Sequence, residues 1–194
     1  MGFRSILSCA HLWTADRLHS GDTAIDATVG TGADTLFLAR TVGPKGHVFG
    51  FDIQEQAIDL AKNRFAGAAD QDKLAPVTFF RQSHGDMRNY IPSHFHGHIG
   101  AVMFNLGYLP ADQADPSVIT LTATTISALE VSLDLLRPKG ILTVVLYPGH
   151  KGGDEEAHAV SEWAAKLPIA IGQAVTYRQL QRATSPYLIA IEKK

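Results

Sequence analysis

The sequence has almost no cysteine: Cys9 is the only one among 194 residues. A single cysteine excludes an intramolecular disulfide, so the cytoplasm is the simplest compartment for this chain. No apolar run approaches the roughly 18 residues that a membrane-spanning helix needs, which predicts no membrane partner. The N-terminal segment contains polar residues and no small-residue cleavage site, so we do not expect it to be a signal peptide.

The sequence also lacks an excess of either charge. It has 17 Lys and Arg against 19 Asp and Glu, a formal net charge of −2. This balance provides no overall attraction to nucleic acid. An RNA partner would need a local basic patch or an oligomer such as a homodimer. The apolar content of 45% is typical of a globular protein, and the length suits a single domain spanning residues 1–194.

Short apolar segments alternate with segments of helical periodicity. The predicted strands lie in TAIDATVG, GHVFGFDI, PVTFFRQ, IGAVMFNLG, GILTVVLYPG, IAIGQAVTYRQL and SPYLIAIEK. Helices are predicted at about residues 5–19 and in ADTLFLARTVG, QEQAIDLAKNRFAGA, SVITLTATTISALEVSLDLL and DEEAHAVSEWAAKL. Ser117 is the expected N-cap of the long fourth helix, with Pro138 and Gly140 in the turn that follows it. The order predicts an α/β fold: a mostly parallel seven-stranded sheet, helices on both faces and a C-terminal antiparallel hairpin.

In such sheets ligands bind at the carboxyl ends of the strands. The segment DATVGTGADT follows the first strand and opens a helix, and its candidate binding residues are Asp26, Gly30, Thr31, Gly32, Asp34 and Thr35. Glycines allow a tight turn, but the third glycine of a dinucleotide fingerprint is absent, because Thr35 occupies its position. Carboxylates would repel a pyrophosphate and attract a cation. The loop therefore favours S-adenosylmethionine (SAM) over NAD, the alternative being an ordinary glycine turn.

Two further loops at the same edge carry candidate cofactor contacts. In FGFDIQ, Asp52 ends the second strand, where an acid can bind ribose hydroxyls, and Ile53 and Gln54 follow it. A helix N-cap is the other role open to Asp52. After the third strand, Ser83 and His84 border the expected adenine pocket. The alternative for them is a solvent-facing turn.

The fourth strand ends in NLGYLP, which places an amide and a phenol at the ligand-binding edge. Methylation of an amine needs a nitrogen lone pair directed at the methyl group. The oxygen of Asn105 can accept an N–H bond and orient the amine, and Tyr108 can stack on a planar base. The alternative is a structural turn whose tyrosine packs on the core.

Candidate substrate contacts lie in the last third of the chain. Tyr147, His150 and Lys151 occupy a glycine-rich loop after the fifth strand, while Arg178 and Arg182 in the final hairpin are candidate phosphate contacts. The segment HFHGH has three alternating histidines but no cysteine or fourth ligand. We therefore expect a surface loop and no metal site.

The segments DATVGTGADTLFLA, VFGFDIQ, QSHGDM, MFNLGYLP and YPGHKGG together resemble the YtqB-like family of class I SAM-dependent methyltransferases. Its functionally assigned members are similar to tRNA 5-aminomethyluridine methyltransferases. The resemblance implies a Rossmann-like fold, SAM as cofactor, and the anticodon region of tRNA as partner, with the wobble uridine's aminomethyl nitrogen as acceptor. It also implies SAM binding by Gly30, Gly32, Asp34, Asp52, Gln54 and His84. An rRNA or small-amine acceptor, or a non-catalytic nucleotide-binding domain, remains an alternative.

Overall fold

The computed structural model describes residues 2–107, 120–149, 152–182 and 184–194. In that part of the chain, seven strands form one sheet in the order β3-β2-β1-β4-β5-β7-β6. The strands are β1 Thr23–Asp26, β2 His47–Asp52, β3 Val77–Arg81, β4 Ile99–Asn105, β5 Leu136–Leu146, β6 Gly172–Arg178 and β7 Tyr187–Lys193. Strands β1 to β5 are parallel to one another, whereas β7 is antiparallel to both β5 and β6. The predicted sheet is confirmed.

Helices cover both faces of the sheet. Successive side chains of a strand point to opposite faces, and both faces of this sheet carry apolar side chains that helices bury. The helices are α1 Ile6–Ala15, α2 Ala33–Val42, α3 Glu55–Ala66, α4 Met87–Tyr90, α5 Thr122–Leu135 and α6 Gly153–Lys166. On β1, Ala24 belongs to the core shared with α1 and α2, and Ile25 belongs to the core shared with α5 and α6. A strand buried on both faces is mostly apolar, which explains the unbroken hydrophobic run ILTVVL in β5.

The structure corrects several predicted boundaries. Helix α5 begins at Thr122 with Leu121 at its N-cap, so the predicted cap at Ser117 is wrong; Ser117 itself lies outside the described residues. Helix α1 ends at Ala15, four residues earlier than expected at His19. Residues 137–140 leave the β4–β5 pairing between Leu136 and Ile141, which places the predicted turn at the start of β5. None of the described helices is long and apolar enough to cross a bilayer.

The sheet order creates a crevice at the carboxyl ends of β1 and β4. The chain moves outward from β1 through β2 to β3, then returns to β4 on the opposite side of β1. The loops after β1 and β4 therefore diverge and leave space between them, as at the ligand-binding position of other open α/β sheets. Asp26, Asp52 and Asn105 each end a strand at this edge.

Candidate functional site

A cavity of about 640 Å³ opens at this edge of the sheet. Strand ends and the loops after them supply most of its wall, with contributions from α1 and the start of α5. The described lining residues are Leu7, Ala27, Thr28, Val29, Gly30, Thr31, Ala33, Asp34, Phe51, Asp52, Ile53, Gln54, Gln82, Ser83, His84, Asn105, Leu106, Gly107, Thr120, Leu121, Thr124 and Tyr147. The volume falls within the range of pockets for small ligands and cofactors, roughly 300–1,000 Å³.

The glycine loop after β1 has a shape that needs both of its glycines. Gly30 has a φ of 51°, and its N–H donates to the Asp52 carboxylate at 2.9 Å. Gly32 has a φ of 75°, and a Cβ there would lie 2.7 Å from the Cα and Cβ of Ala61 in α3. Gly30 lines the cavity. Gly32 does not, and its missing side chain allows α3 to pack closely against the loop.

Three carboxylates surround the loop, and their charges interact. Asp26 is buried beneath it, where it accepts hydrogen bonds from the Thr35 hydroxyl at 2.6 Å and the Thr28 N–H at 3.1 Å. Burial, and then the negative charges of Asp34 and Asp52, raise the pKa of Asp26 to about 7, although these hydrogen bonds favour its ionised form. No Lys or Arg occurs among the described lining residues. The site therefore presents negative charge that a bound cation would balance.

Asp52 faces the cavity from the end of β2. Besides the bond from Gly30, it accepts one from the Gln54 N–H at 2.9 Å. Burial raises the pKa of the Asp52 carboxyl, and these backbone bonds oppose the rise. The N-cap of α3 is Gln54, so the alternative that Asp52 caps this helix is wrong. Its fixed carboxylate lies in the cavity wall, as a ribose-binding acid would require.

Asn105 is held at the end of β4 by contacts from three other parts of the chain. Its backbone N–H donates to the Thr28 hydroxyl at 2.7 Å, and its side-chain Nδ2 lies 3.5 Å from Oδ2 of Asp34. Its side chain also hydrogen-bonds the phenol of Tyr147. Burial and the charge of Asp34 raise the pKa of Tyr147, whereas this bond lowers it. The amide, the carboxylate and the phenol thus form one polar cluster on the cavity wall.

Ser83 and His84 form the wall beyond β3. The Ser83 hydroxyl accepts from the Gly85 N–H at 3.1 Å, and this bond starts a short helical turn. His84 is buried, and its Nδ1 donates to the Ala27 carbonyl oxygen at 3.2 Å. Burial lowers the pKa of His84, which favours the neutral ring. Its Nε2 has no partner among the described residues.

The structure brings together most of the predicted site, though not all of it. Asp26, Gly32 and Thr35 support the loop from behind and do not line the cavity. Arg178 ends β6 on the same sheet edge with its guanidinium 4.7 Å from the centre of the Tyr187 ring, and Arg182 is exposed in the following loop. The predictions for Tyr108, His150 and Lys151 lie outside the described residues.

Sequence reasoning missed several polar residues in or beside the cavity wall, and three of them make contacts that matter to the site. His11 of α1 contacts Asp34, Thr28 fixes the backbone of Asn105, and Thr120 lines the cavity before α5. Thr28 lies inside the segment DATVGTGADT, so the sequence already placed it beside the predicted ligand-binding loop. The segment HFHGH overlaps a short helical turn, Ser93–Phe95. The described part of the chain contains no group of three or more His, Cys, Asp and Glu arranged to hold a metal.

Comparisons with known proteins identify a family and a relative that aligns with the whole chain. A family model described as "Putative rRNA methylase" matches residues 48–192. The chain is 33% identical to the tRNA (mnm(5)s(2)U34)-methyltransferase, chloroplastic, of Arabidopsis thaliana, an alignment that covers 100% of this chain and 71% of that protein.

Two solved structures share the whole fold. A Clostridium thermocellum protein of the same description as the family is 37% identical with a TM-score of 0.91, and a candidate methyltransferase from Streptococcus mutans in complex with SAH is 31% identical with a TM-score of 0.84. Both alignments cover 100% of each chain. The fold is therefore the expected Rossmann-like class I methyltransferase fold. Since the family model covers most of the sequence and the Arabidopsis relative aligns with all of it, the chain belongs to this rRNA methylase family.

Proposed function

We propose that this protein is a SAM-dependent methyltransferase that methylates the 5-aminomethyl nitrogen of the wobble uridine in tRNA. The observation that carries the chemistry is the Asn105 amide, held at the cavity wall within 3.5 Å of the Asp34 carboxylate. The choice of tRNA is supported by the Arabidopsis relative, whose name specifies mnm(5)s(2)U34. The proposal includes one domain over residues 1–194 and a cytoplasmic location, where tRNA is found.

The described residues fit SAM. Its ammonium and sulfonium groups would balance the carboxylates of Asp26, Asp34 and Asp52, which have no Lys or Arg among their described neighbours in the cavity wall. We assign Asp52 to the ribose hydroxyls, while the exposed Ile53 and the buried His84 would flank the adenine. When bound, SAM supplies an electrophilic methyl group on sulfur. The Streptococcus mutans protein, 31% identical, was solved with SAH, the corresponding reaction product.

Asn105 orients the acceptor amine in this proposal. An amide does not titrate in the physiological range, so Asn105 is not a base. Its oxygen accepts an N–H bond from the neutral amine and thereby directs the lone pair, which is a contribution of orientation. Tyr147 lies beside it and narrows the positions open to the substrate. Tyr108 remains our candidate for stacking on the base.

The RNA-binding face is proposed to extend from the cavity to the β6–β7 hairpin. Arg178 and Arg182 are exposed near the carboxyl edge of the sheet, where they can contact phosphates that flank the target base. Arg178→Glu with Arg182→Glu should weaken tRNA binding and leave SAH binding unchanged. The matched control is Arg88→Glu with Lys166→Glu, because these exposed residues lie on helices and give the same charge change.

The function is tested by incubating the protein and labelled SAM with tRNA that carries aminomethyluridine, followed by mass spectrometry of the nucleosides. We expect the label in methylaminomethyluridine. The family description favours rRNA as a second candidate substrate, so ribosomal subunits lacking methylation form a parallel arm. Label in rRNA and none in tRNA would overturn the proposed acceptor while leaving the methyltransferase chemistry in place.

A further inference from the structure

The orientation of the Asn105 amide has a physical cause in its neighbour. A carboxylate only accepts hydrogen bonds, so the amide must turn its NH₂ group towards Asp34. The amide oxygen then points away from Asp34, where it can accept an N–H bond from an acceptor amine. The separation from Nδ2 to the Asp34 Oδ2 is 3.5 Å, at the long limit of a hydrogen bond, so a small movement of Asp34 would break it.

Asp34 is itself held by His11, which lies 23 residues earlier in α1. Nε2 of His11 lies 2.6 Å from Oδ1 of Asp34, and the carboxylate requires this nitrogen to be the donor. Asp34 is thus bound through one oxygen by His11 and through the other by Asn105.

The His11 ring is also fixed by packing. It stacks on Phe37 with ring centres 3.9 Å apart and parallel planes. Phe37 and Asp34 lie one turn apart on α2, so the same helix face supports the ring and receives its hydrogen bond. A side chain held at both its face and its edge has little freedom to move.

We infer that His11 is a positioning residue for methyl transfer: it fixes Asp34, which in turn fixes the amide of Asn105. The inference rests on the proposed function, because Asn105 receives the amine there. His11 acts through Asp34 and need not touch the substrate. The contact joins α1 to α2 and thereby makes the leading helix part of the catalytic assembly.

Two variants separate positioning from packing. His11→Phe keeps an aromatic ring to stack on Phe37 but has no donor, whereas His11→Gln loses the ring and places an amide N–H near the position of Nε2. We expect His11→Phe to lower the single-turnover methylation rate about ten- to hundredfold. His11→Gln should stay within about threefold of the wild type, since it restores the donor. Affinity for tRNA should be unchanged in both variants, and the rates are compared at saturating SAM because Asp34 also contributes to SAM binding in the proposed function.

A second readout is the side-chain NH₂ resonance of Asn105 in ¹⁵N NMR spectra, identified by its loss in Asn105→Ala. It should shift in His11→Phe and stay near its wild-type position in His11→Gln. A wild-type rate and an unmoved resonance in His11→Phe would overturn the inference. Equal slowing in both variants with an unmoved resonance would also overturn it, by showing a role in packing alone. If the wild type fails to methylate the tRNA, the proposed function fails, whereas the resonance still decides whether His11 positions Asn105.

Discussion

Gly30 and Asp52 join the two loops that form the floor of the cavity. The N–H of Gly30 donates to Oδ2 of Asp52 at 2.9 Å, while Oδ1 of the same carboxylate accepts from the Gln54 N–H. Each oxygen of Asp52 therefore accepts at least one backbone N–H bond, and the carboxylate lies in the wall of the cavity. This link shapes the glycine loop and presents a carboxylate to the ribose in the proposed complex.

Asp52→Asn should weaken SAH binding, because an amide replaces a charged acceptor of the ribose hydroxyls and turns a donor towards the Gly30 or Gln54 N–H. We expect a loss of about 1.5–3 kcal/mol, measured by calorimetry. Asp59→Asn, on the exposed side of α3, is the matched control and should bind as the wild type does. Unchanged affinity in Asp52→Asn would remove Asp52 from the cofactor site.

Gly32→Ala tests the packing role that the structure gives this glycine. Gly97 is a close control, since its φ is 77° against 75° for Gly32, but a Cβ there meets nothing within 4 Å. Gly97→Ala should cost only the left-handed backbone strain, about 1–2 kcal/mol. Gly32→Ala should cost about 1–3 kcal/mol more in urea unfolding, because its Cβ collides with Ala61. An equal loss in the free energy of unfolding for Gly32→Ala and Gly97→Ala would show that α3 moves aside without strain.

Asp26 should make the stability of the ligand-free protein depend on pH. Its pKa is raised to about 7 from an ordinary value of 3.8. Between these values the folded protein binds more protons than the unfolded chain, so the Asp26 contribution to the free energy of unfolding decreases as the pH rises from about 4 to 7. Urea unfolding of Asp26→Asn should show a smaller decrease over this range than that of the wild type or of Asp59→Asn. Identical pH dependence in all three proteins would contradict the assignment.

The sequence predicted the parts of the site that are encoded locally. The acids and glycines of DATVGTGADT and FGFDIQ follow strands directly, and the parallel sheet brings such strand ends together. His11 was missed because its partner Asp34 is reached only when α1 packs beside α2. The role of Gly32 was also missed, since a loop glycine that allows helix packing has the same letter as one that contacts a ligand. The prediction of Ser117 as the N-cap was wrong because the helical periodicity of the sequence continues before Thr122, where α5 begins.

A buried carboxylate fixes the end of the segment that follows Asn105. Glu156 of α6 accepts from the Thr120 hydroxyl at 2.6 Å and the Thr125 hydroxyl at 2.7 Å. Thr120 also exchanges hydrogen bonds with Gly107, because its hydroxyl accepts from the Gly107 N–H and its own N–H donates to the Gly107 oxygen, each at 3.1 Å. Glu156 thus supports the cavity wall from behind.

Glu156→Ala should lower the free energy of unfolding by about 1–3 kcal/mol for each hydroxyl left without an acceptor. Glu155→Ala, its exposed neighbour in the same helical turn, should change stability by less than about 0.5 kcal/mol. Urea unfolding of both variants measures the difference. Similar stability of the two would mean that the threonine hydroxyls find other acceptors.

The central claim is that the Asn105 amide orients an amine for methyl transfer. Its most direct test is single-turnover transfer of a labelled methyl group from saturating SAM to saturating tRNA bearing aminomethyluridine. The account predicts that Asn105→Ala lowers this rate about a hundredfold, or about 2.7 kcal/mol in the barrier, with SAH affinity nearly unchanged. Transfer by Asn105→Ala at the wild-type rate would contradict the account, because the end of β4 would then be only a structural turn.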